Sequence, residues 1–167
     1  AMMMNYELSG ISSYEFRDVY FGPQNSEKEI EEELRAGGFK YERAEDVSLE
    51  AAKLISEGNI IFWHQGKMEY GPRALGHRSI LAKPDSAKIR DELNLRLKMR
   101  VWYQPFCPSM LKDDACELLE DFDGPNPFMT MGYMVKEERR DDIRGVLSVD
   151  GSCRPQVLND SEPKYTR

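Results

Sequence analysis

Asn59-Ile60-Ile61-Phe62-Trp63-His64, then Gly66-Lys67-Met68-Glu69-Tyr70-Gly71-Pro72-Arg73-Ala74-Leu75-Gly76-His77-Arg78-Ser79-Ile80-Leu81, is the stretch on which the reading of this chain turns. The first run is apolar on both faces and predicts a central strand. Ser79 to Ala82 predicts a second short strand. Between them, Gly66, Gly71 and Gly76 alternate with Lys67, Arg73 and Arg78. Glycine lets backbone approach a ligand closely and expose its N–H groups. Arginine adds a planar fork that matches phosphate or carboxylate oxygens. Pro72 suits the first position of a helical turn, whose free N–H groups would face bound negative charge. The loop is neither a Walker loop nor a dinucleotide fingerprint. Taken alone it predicts an anion site and no named reaction, and glycine with arginine also serves ordinary turns.

Charge distribution sharpens that expectation. The chain carries a net charge of −7, which argues against broad binding to nucleic acid or anionic membrane. Yet His64 to Gln104 holds nine basic residues and four acidic ones, a local excess of five. A positive hollow in a negative body suits a small anionic ligand better than a polymer. Some of these charges, Lys88 among them, belong to a wet helix face. Arg73, Arg78, Lys98 and Arg100 sit beside glycine or proline motifs and are less easily explained that way.

Length and composition set the frame. With 167 residues, 40% of them apolar, the chain can bury one good core, as one domain or part of a larger protein. No run reaches transmembrane length and no signal peptide is visible. Cys107, Cys116 and Cys153 are odd in number and lack paired short spacing, so they read as reduced thiols, and the chain as cytoplasmic. Cys107 reads as a core cysteine rather than a nucleophile. The expected metal content is none.

The remaining pattern mixes helices and strands. Ala1-Met2-Met3-Met4 looks in part like a cloning remnant, and 1–25 reads as an irregular lead-in or linker, leaving 26–167 as the folded domain. Ser26 and Glu29 form a capping-box signature, with Ile30 and Leu34 inside the helix and Gly37-Gly38 as its stop. Phe39 to Arg43 suggests a short strand. Ser48 is read as the cap of a second helix that Gly58 ends. Pro84-Asp85 opens a helix through Lys98, with Ile89, Leu93 and Leu97 on one side; Asn94 fits either side, an exposed position being the simpler reading. Pro105 to Met110 reads as an edge strand, with a short helix near Asp114–Leu119. Phe128 to Val135, Val146 to Val149 and Pro155 to Leu158 read as further strands, and Lys136 to Arg144 as a charged connection. Without strict βαβ alternation, this predicts an α/β (α+β) fold with a mixed sheet and flanking helices.

Three ordered blocks carry a family likeness. Residues 66–82 resemble the O-carbamoyltransferase motif Gly-Arg-Met-Glu-Phe-Gly-Pro-Arg-Ala-Leu-Gly-Asn-Arg-Ser-Ile-Leu-Ala, found in enzymes that modify antibiotics and nodulation factors. The second block is represented by Arg90, Asn94, Lys98-Met99-Arg100, Trp102-Tyr103 and Pro105-Phe106-Cys107-Pro108-Ser109. The third is Asp150-Gly151-Ser152-Cys153-Arg154-Pro155-Gln156. The chain departs from that pattern at Lys67 and Gln104, which replace arginines, at His77, which replaces asparagine, and at Val101, which replaces glutamate. His77 is read as a hydrogen-bonding substitute rather than a catalytic base.

The resemblance implies the C-terminal, YrdC-like domain of that family: a twisted mixed sheet with flanking helices, incomplete at its C-terminus. It implies a fragment truncated at both ends, lacking an N-terminal domain that binds iron and transfers the group to an acceptor hydroxyl. The implied reaction makes carbamoyl-adenylate from carbamoyl phosphate and ATP, with Mg2+. Lys98, Arg100 and Arg73 are the expected catalytic cations. Lys67, Gly71, Gly76, Arg78, Ser79, Asn94, Ser109 and Arg154 are the expected binding residues, and Trp102 or Tyr103 a stacking surface for adenine. The expected partners are ATP, carbamoyl phosphate and the missing N-terminal domain, with no nucleic acid or membrane, and with a homodimer possible through uncovered apolar surface. The alternative is a non-catalytic nucleotide- or RNA-end-binding module of the same fold. A third reading makes the arginines bridges to the N-terminal domain.

Overall fold

The computed structural model describes residues 7–10 and 18–158. The cloning-remnant reading of residues 1–4 lies outside them. The fold is α+β, as the sequence predicts. Helix α1, Glu27–Ala36, starts at the expected capping box: Ser26 Oγ accepts from the Glu29 N–H, and the Glu29 carboxylate accepts from the Ser26 N–H. Helix α2, Val47–Ser56, is capped by Asp46 rather than Ser48, because the Asp46 side chain accepts from Leu49 N at 3.0 Å. The expected strand at Phe39–Arg43 is absent. Tyr41 and Arg43 turn back instead to bond the Glu31 carboxylate on α1.

Strands β1, Ile61–His64, and β2, Arg78–Leu81, pair antiparallel, with Trp63 opposite Ser79. Among the described residues β1 has no second neighbour, and Phe62 is 73% exposed. The run is therefore an edge rather than the central strand its apolar content suggests: Ile61 and Trp63 turn inward, and Phe62 lies in solvent. Strand β3, Ser109–Leu111, pairs parallel with β6, Gln156–Leu158; β4, Tyr133–Met134, pairs antiparallel with β5, Ser152–Cys153. The described strands thus form three two-stranded sheets rather than one continuous mixed sheet. They are short because loops interrupt them. Met129 has a positive φ of 53° inside the expected strand 128–135, and Val146–Val149 forms a turn. There, Gly145 donates its N–H to Pro84 O, and a Cβ at Gly145 would lie 2.7 Å from that oxygen.

Between β2 and β3, Ser86 precedes helix α3, Ala87–Glu92, which continues as one wide π turn, Leu93–Leu97. Helix α4, Lys112–Leu118, follows β3, and the charged connection contains a 3-10 helix, Glu137–Ile143. The main core gathers Met110, Ala115, Leu119, Val135 and Val157 around the β3–β6 pair and α4. A smaller cluster joins Val19, Leu75 and Met129, with Cys107 packed against it. Burying these aliphatic side chains stabilises the fold by roughly 1.5–3 kcal/mol each. The segment 18–23, read in sequence as lead-in, runs along the Gly/Arg loop: Tyr70 N donates to Val19 O at 2.7 Å and Gly22 N to Met68 O at 2.9 Å.

Candidate anion-binding cleft

A cleft of about 430 Å³ opens between the two core clusters, a size within the usual range for small-molecule sites. Arg73 enters it from the Gly/Arg loop, Lys98 and Arg100 from the chain after the π turn, and Arg154 from the β5–β6 connection. Among the described residues, no aspartate or glutamate lines it. Among the described residues, none of the four cations forms an ion pair. Unpaired positive charge in a concave site repels itself and attracts anions. Burial pulls the Arg100 guanidinium below its ordinary value, with the nearby Cys107 acting the other way; arginine nonetheless stays charged.

The π turn explains how Arg100 arrives. Its widened backbone lets Lys98 N reach Leu93 O at 2.8 Å, and Met99 takes a positive φ of 51° to reverse the chain. Asn94 lies inside this reversal and is fully buried. Its amide donates to Trp102 O at 2.9 Å and Gln104 O at 3.0 Å, while its Oδ1 accepts from Arg100 Nε at 2.6 Å. The guanidinium also lies 4.5 Å from the Phe106 ring centroid, a cation–π distance.

The Gly/Arg loop is built differently from the cradle its glycines suggest. The Glu69 side chain is buried, and one of its oxygens, Oε1, accepts from Leu75 N at 2.7 Å and from His77 N and Arg78 N at 3.2 Å each. Gly76 N donates to Ser79 Oγ at 3.0 Å. The four consecutive N–H groups from Leu75 to Arg78 are thus satisfied by the chain's own side chains. Burial pushes the Glu69 carboxyl up, but the N–H groups of Leu75, of Glu69 itself, and of Arg78 and His77 pull it down further, and the net shift is downward. Glu69 Oε2 is buried, with no hydrogen-bond partner among the described residues.

Other groups pin the same loop. Arg78 donates to the carbonyls of Gln65 at 2.7 Å and His77 at 2.8 Å, and to those of Gly66 and Pro23. His77 stacks on Tyr20 with centroids 3.8 Å apart, and its Nδ1 lies 2.5 Å from Lys67 O, so the hydrogen bond requires the proton on Nδ1. Tyr20 OH donates to Leu75 O at 3.0 Å, and Gln156 Nε2 donates to the same oxygen at 3.3 Å.

Of the eleven residues expected at the site, the structure brings Arg73, Ser79, Lys98, Arg100, Ser109 and Arg154 together around the cleft. Five lie elsewhere. Lys67 and Gly71 are exposed on the loop, and Gly76 is buried in it. Arg78 holds loop carbonyls, and Asn94 sits behind Arg100 rather than in the cleft. Trp102 and Tyr103 pack edge-to-face at 5.7 Å, half exposed and away from the cleft lining. Sequence reasoning missed three groups. Glu69 enters the sequence reading as a charge and a motif position, with no role at the site. Gln156 accepts from Ser109 Oγ at 3.1 Å and ties it to the Gly/Arg loop. Buried Asn126 folds the 126–131 loop, accepting from Thr130 N and Met131 N and donating to Met131 O and Pro155 O. The signal for Asn126 was a polar residue between two prolines, Pro125 and Pro127, where a turn needs side-chain hydrogen bonds.

Residues 52–167 match the family described as Carbamoyltransferase C-terminus. The chain belongs to this family. Its curated relatives agree. It is 42% identical over 165 residues to the nodulation protein NolNO of Sinorhizobium fredii, covering 95% of this chain and 24% of that protein. It is 39% identical over 172 residues to the nodulation protein NolO of Bradyrhizobium diazoefficiens, covering 99% and 31%. It is also 39% identical over 130 residues to the 3'-hydroxymethylcephem-O-carbamoyltransferase of Streptomyces clavuligerus, covering 75% and 24%. The chain therefore spans only a quarter to a third of the length of these relatives. Among its described residues, no helix is long and apolar enough to cross a membrane.

Proposed function

We propose that the cleft holds the phosphoryl groups of ATP and carbamoyl phosphate, and that this chain is the carbamoyl-activating part of an ATP-dependent O-carbamoyltransferase. The observation that carries this reading is the set of four cations, Arg73, Lys98, Arg100 and Arg154, in a cleft that no carboxylate lines among the described residues. Family membership supplies the carbamoyl chemistry. Water first cleaves carbamoyl phosphate to carbamate and inorganic phosphate. A carbamate oxygen then attacks the α-phosphorus of ATP, the bond to the β-phosphate oxygen breaks, and pyrophosphate leaves with its electron pair. Charge grows on the phosphoryl oxygens and on the leaving group, where fixed guanidinium and ammonium groups stabilise it without reorganising. No protein nucleophile takes part. Because no acidic side chain lines the cleft among the described residues, Mg2+ would be carried by the nucleotide's own phosphates. Transfer from the adenylate to an acceptor hydroxyl falls to the part of the parent protein that lies outside this chain.

Calorimetric titration with ATP tests the reading. Wild type is expected to bind saturably, and Lys98→Ala to bind about tenfold more weakly, the loss of one charge-assisted contact. Equal ATP affinity in the two proteins would remove Lys98 from the site. Failure of the full-length parent protein to release pyrophosphate from ATP with carbamoyl phosphate would remove the activation step.

A further inference from the structure

We propose that Glu69 is a positioning residue for the cleft: it supplies the internal anion around which the Gly/Arg loop folds, and so sets where Arg73 stands. The inference rests on the phosphoryl-binding reading of the cleft. Glu69 and its three N–H donors bracket the segment Tyr70–Ala74, with the carboxylate at one end and Leu75, His77 and Arg78 at the other. The bracketed segment carries Arg73 and, with Pro72 and Ala74, forms one wall of the cleft. Arg73 is exposed and has no ion pair of its own among the described residues. What fixes its position is the backbone beneath it.

The carboxylate suits that task. Converging N–H groups form a nest that favours a negative charge. In this loop the chain fills the nest itself and leaves the ligand to the guanidinium on the outer side. Charge-assisted bonds to one oxygen are roughly twice as strong as neutral ones, so the turn is held more firmly than glutamine would hold it. Arg78, clamped on the carbonyls of Gln65, Gly66 and His77, fixes the far side of the same turn.

A double-mutant cycle on the complete chain, with inorganic pyrophosphate as probe, tests the inference by calorimetry. Glu69→Gln keeps the shape and loses the charge; Glu69→Ala removes the anchor, with far-UV circular dichroism as the check on folding. Each is measured alone and with Arg73→Ala. If Glu69 acts through Arg73, then Arg73→Ala and Glu69→Ala each weaken pyrophosphate binding about tenfold, Glu69→Gln weakens it less, and each double variant binds no worse than Arg73→Ala alone. Additive losses in the Glu69→Gln pair would overturn the inference while leaving the cleft reading intact. Wild type that fails to bind pyrophosphate would overturn both.

Discussion

Arg100 and Asn94 form one unit: Arg100 Nε donates to Asn94 Oδ1 at 2.6 Å, and Arg100 N donates to Asn94 O at 2.9 Å. The same asparagine holds the carbonyls of Trp102 and Gln104. A fully buried amide thus closes the loop that bears both Lys98 and Arg100. Asn94→Ala should leave those two carbonyls and one guanidinium N–H without their partner. At about 1 kcal/mol per net hydrogen bond, with a further penalty for stranded buried groups, the expected loss is about 3 kcal/mol. Urea unfolding measures it. The same variant should bind pyrophosphate more weakly even where it is fully folded, because Arg100 loses its brace. Wild-type affinity in the folded variant would show that Phe106 alone orients Arg100.

The two loop arginines should separate by phenotype. Arg78 is committed to backbone carbonyls, so Arg78→Ala should cost roughly 2 kcal/mol of stability, and lysine should rescue it poorly because an ammonium lacks the fork that spans several oxygens. Lys98 is exposed, and Lys98→Ala should change stability by no more than about 0.5 kcal/mol while weakening ATP binding. Thermal unfolding of both variants, with and without ATP, makes the comparison. The reverse pattern, with Arg78 sensitive only in binding, would return Arg78 to the cleft.

Stability should depend on Glu69 in acid. Its carboxyl lies below its ordinary value in the native state because backbone N–H groups outweigh the opposing effect of burial. An unfolded glutamate titrates at about 4.3. The stabilisation is therefore complete above that pH and is lost as pH falls through the lower native value, where the unfolded chain takes up the proton first. The urea midpoint of wild type should drop more steeply below about pH 4 than that of Glu69→Gln, whose amide does not titrate. Parallel acid limbs in the two proteins would show that the fold does not hold the Glu69 carboxyl below its ordinary value.

Much of the architecture is legible in local chemistry. The Ser26–Glu29 box and the Gly37-Gly38 stop mark α1 because both are satisfied by neighbours a few residues away. Arg73, Ser79, Lys98, Arg100, Ser109 and Arg154 line one cleft, whereas Lys67 and Arg78, cations in the same Gly and Pro setting, do not. What sequence periodicity misreads is tertiary. Phe62 looks like core and stands in solvent, since nothing in residues 59–64 reveals that β1, among the described residues, gains a neighbour on one side only. Asn94 looks like surface and is fully buried, since its partners Trp102 and Gln104 are reached only after the chain reverses at Met99. Arg78 and Glu69 fit the sequence expectation of an anion loop in composition and invert it in role. Glycine and arginine spacing says that a loop can wrap an anion; it does not say that the anion belongs to the same loop.

Thiol reactivity gives a local readout of cleft potential. Cys107 lies in the cleft wall, where burial pushes its thiol up and the guanidinium groups of Arg154, Arg73 and Arg100 pull it part of the way back. Cys153 is buried and is pushed up to about 12, by burial first and by Cys107 second. Cys116 is exposed. Since the thiolate is the nucleophile, iodoacetamide should modify Cys116 first, Cys107 more slowly and Cys153 last, as followed by peptide mass spectrometry. Pyrophosphate should then slow Cys107 selectively. A bound anion neutralises the three guanidiniums, removes their downward pull and raises the thiol further, in addition to covering it. Arg154→Ala should slow Cys107 in the same direction without ligand, because it removes the largest of those pulls. A Cys107 rate indifferent to pyrophosphate, in a protein shown by calorimetry to bind it, would place the bound anion away from the four cations.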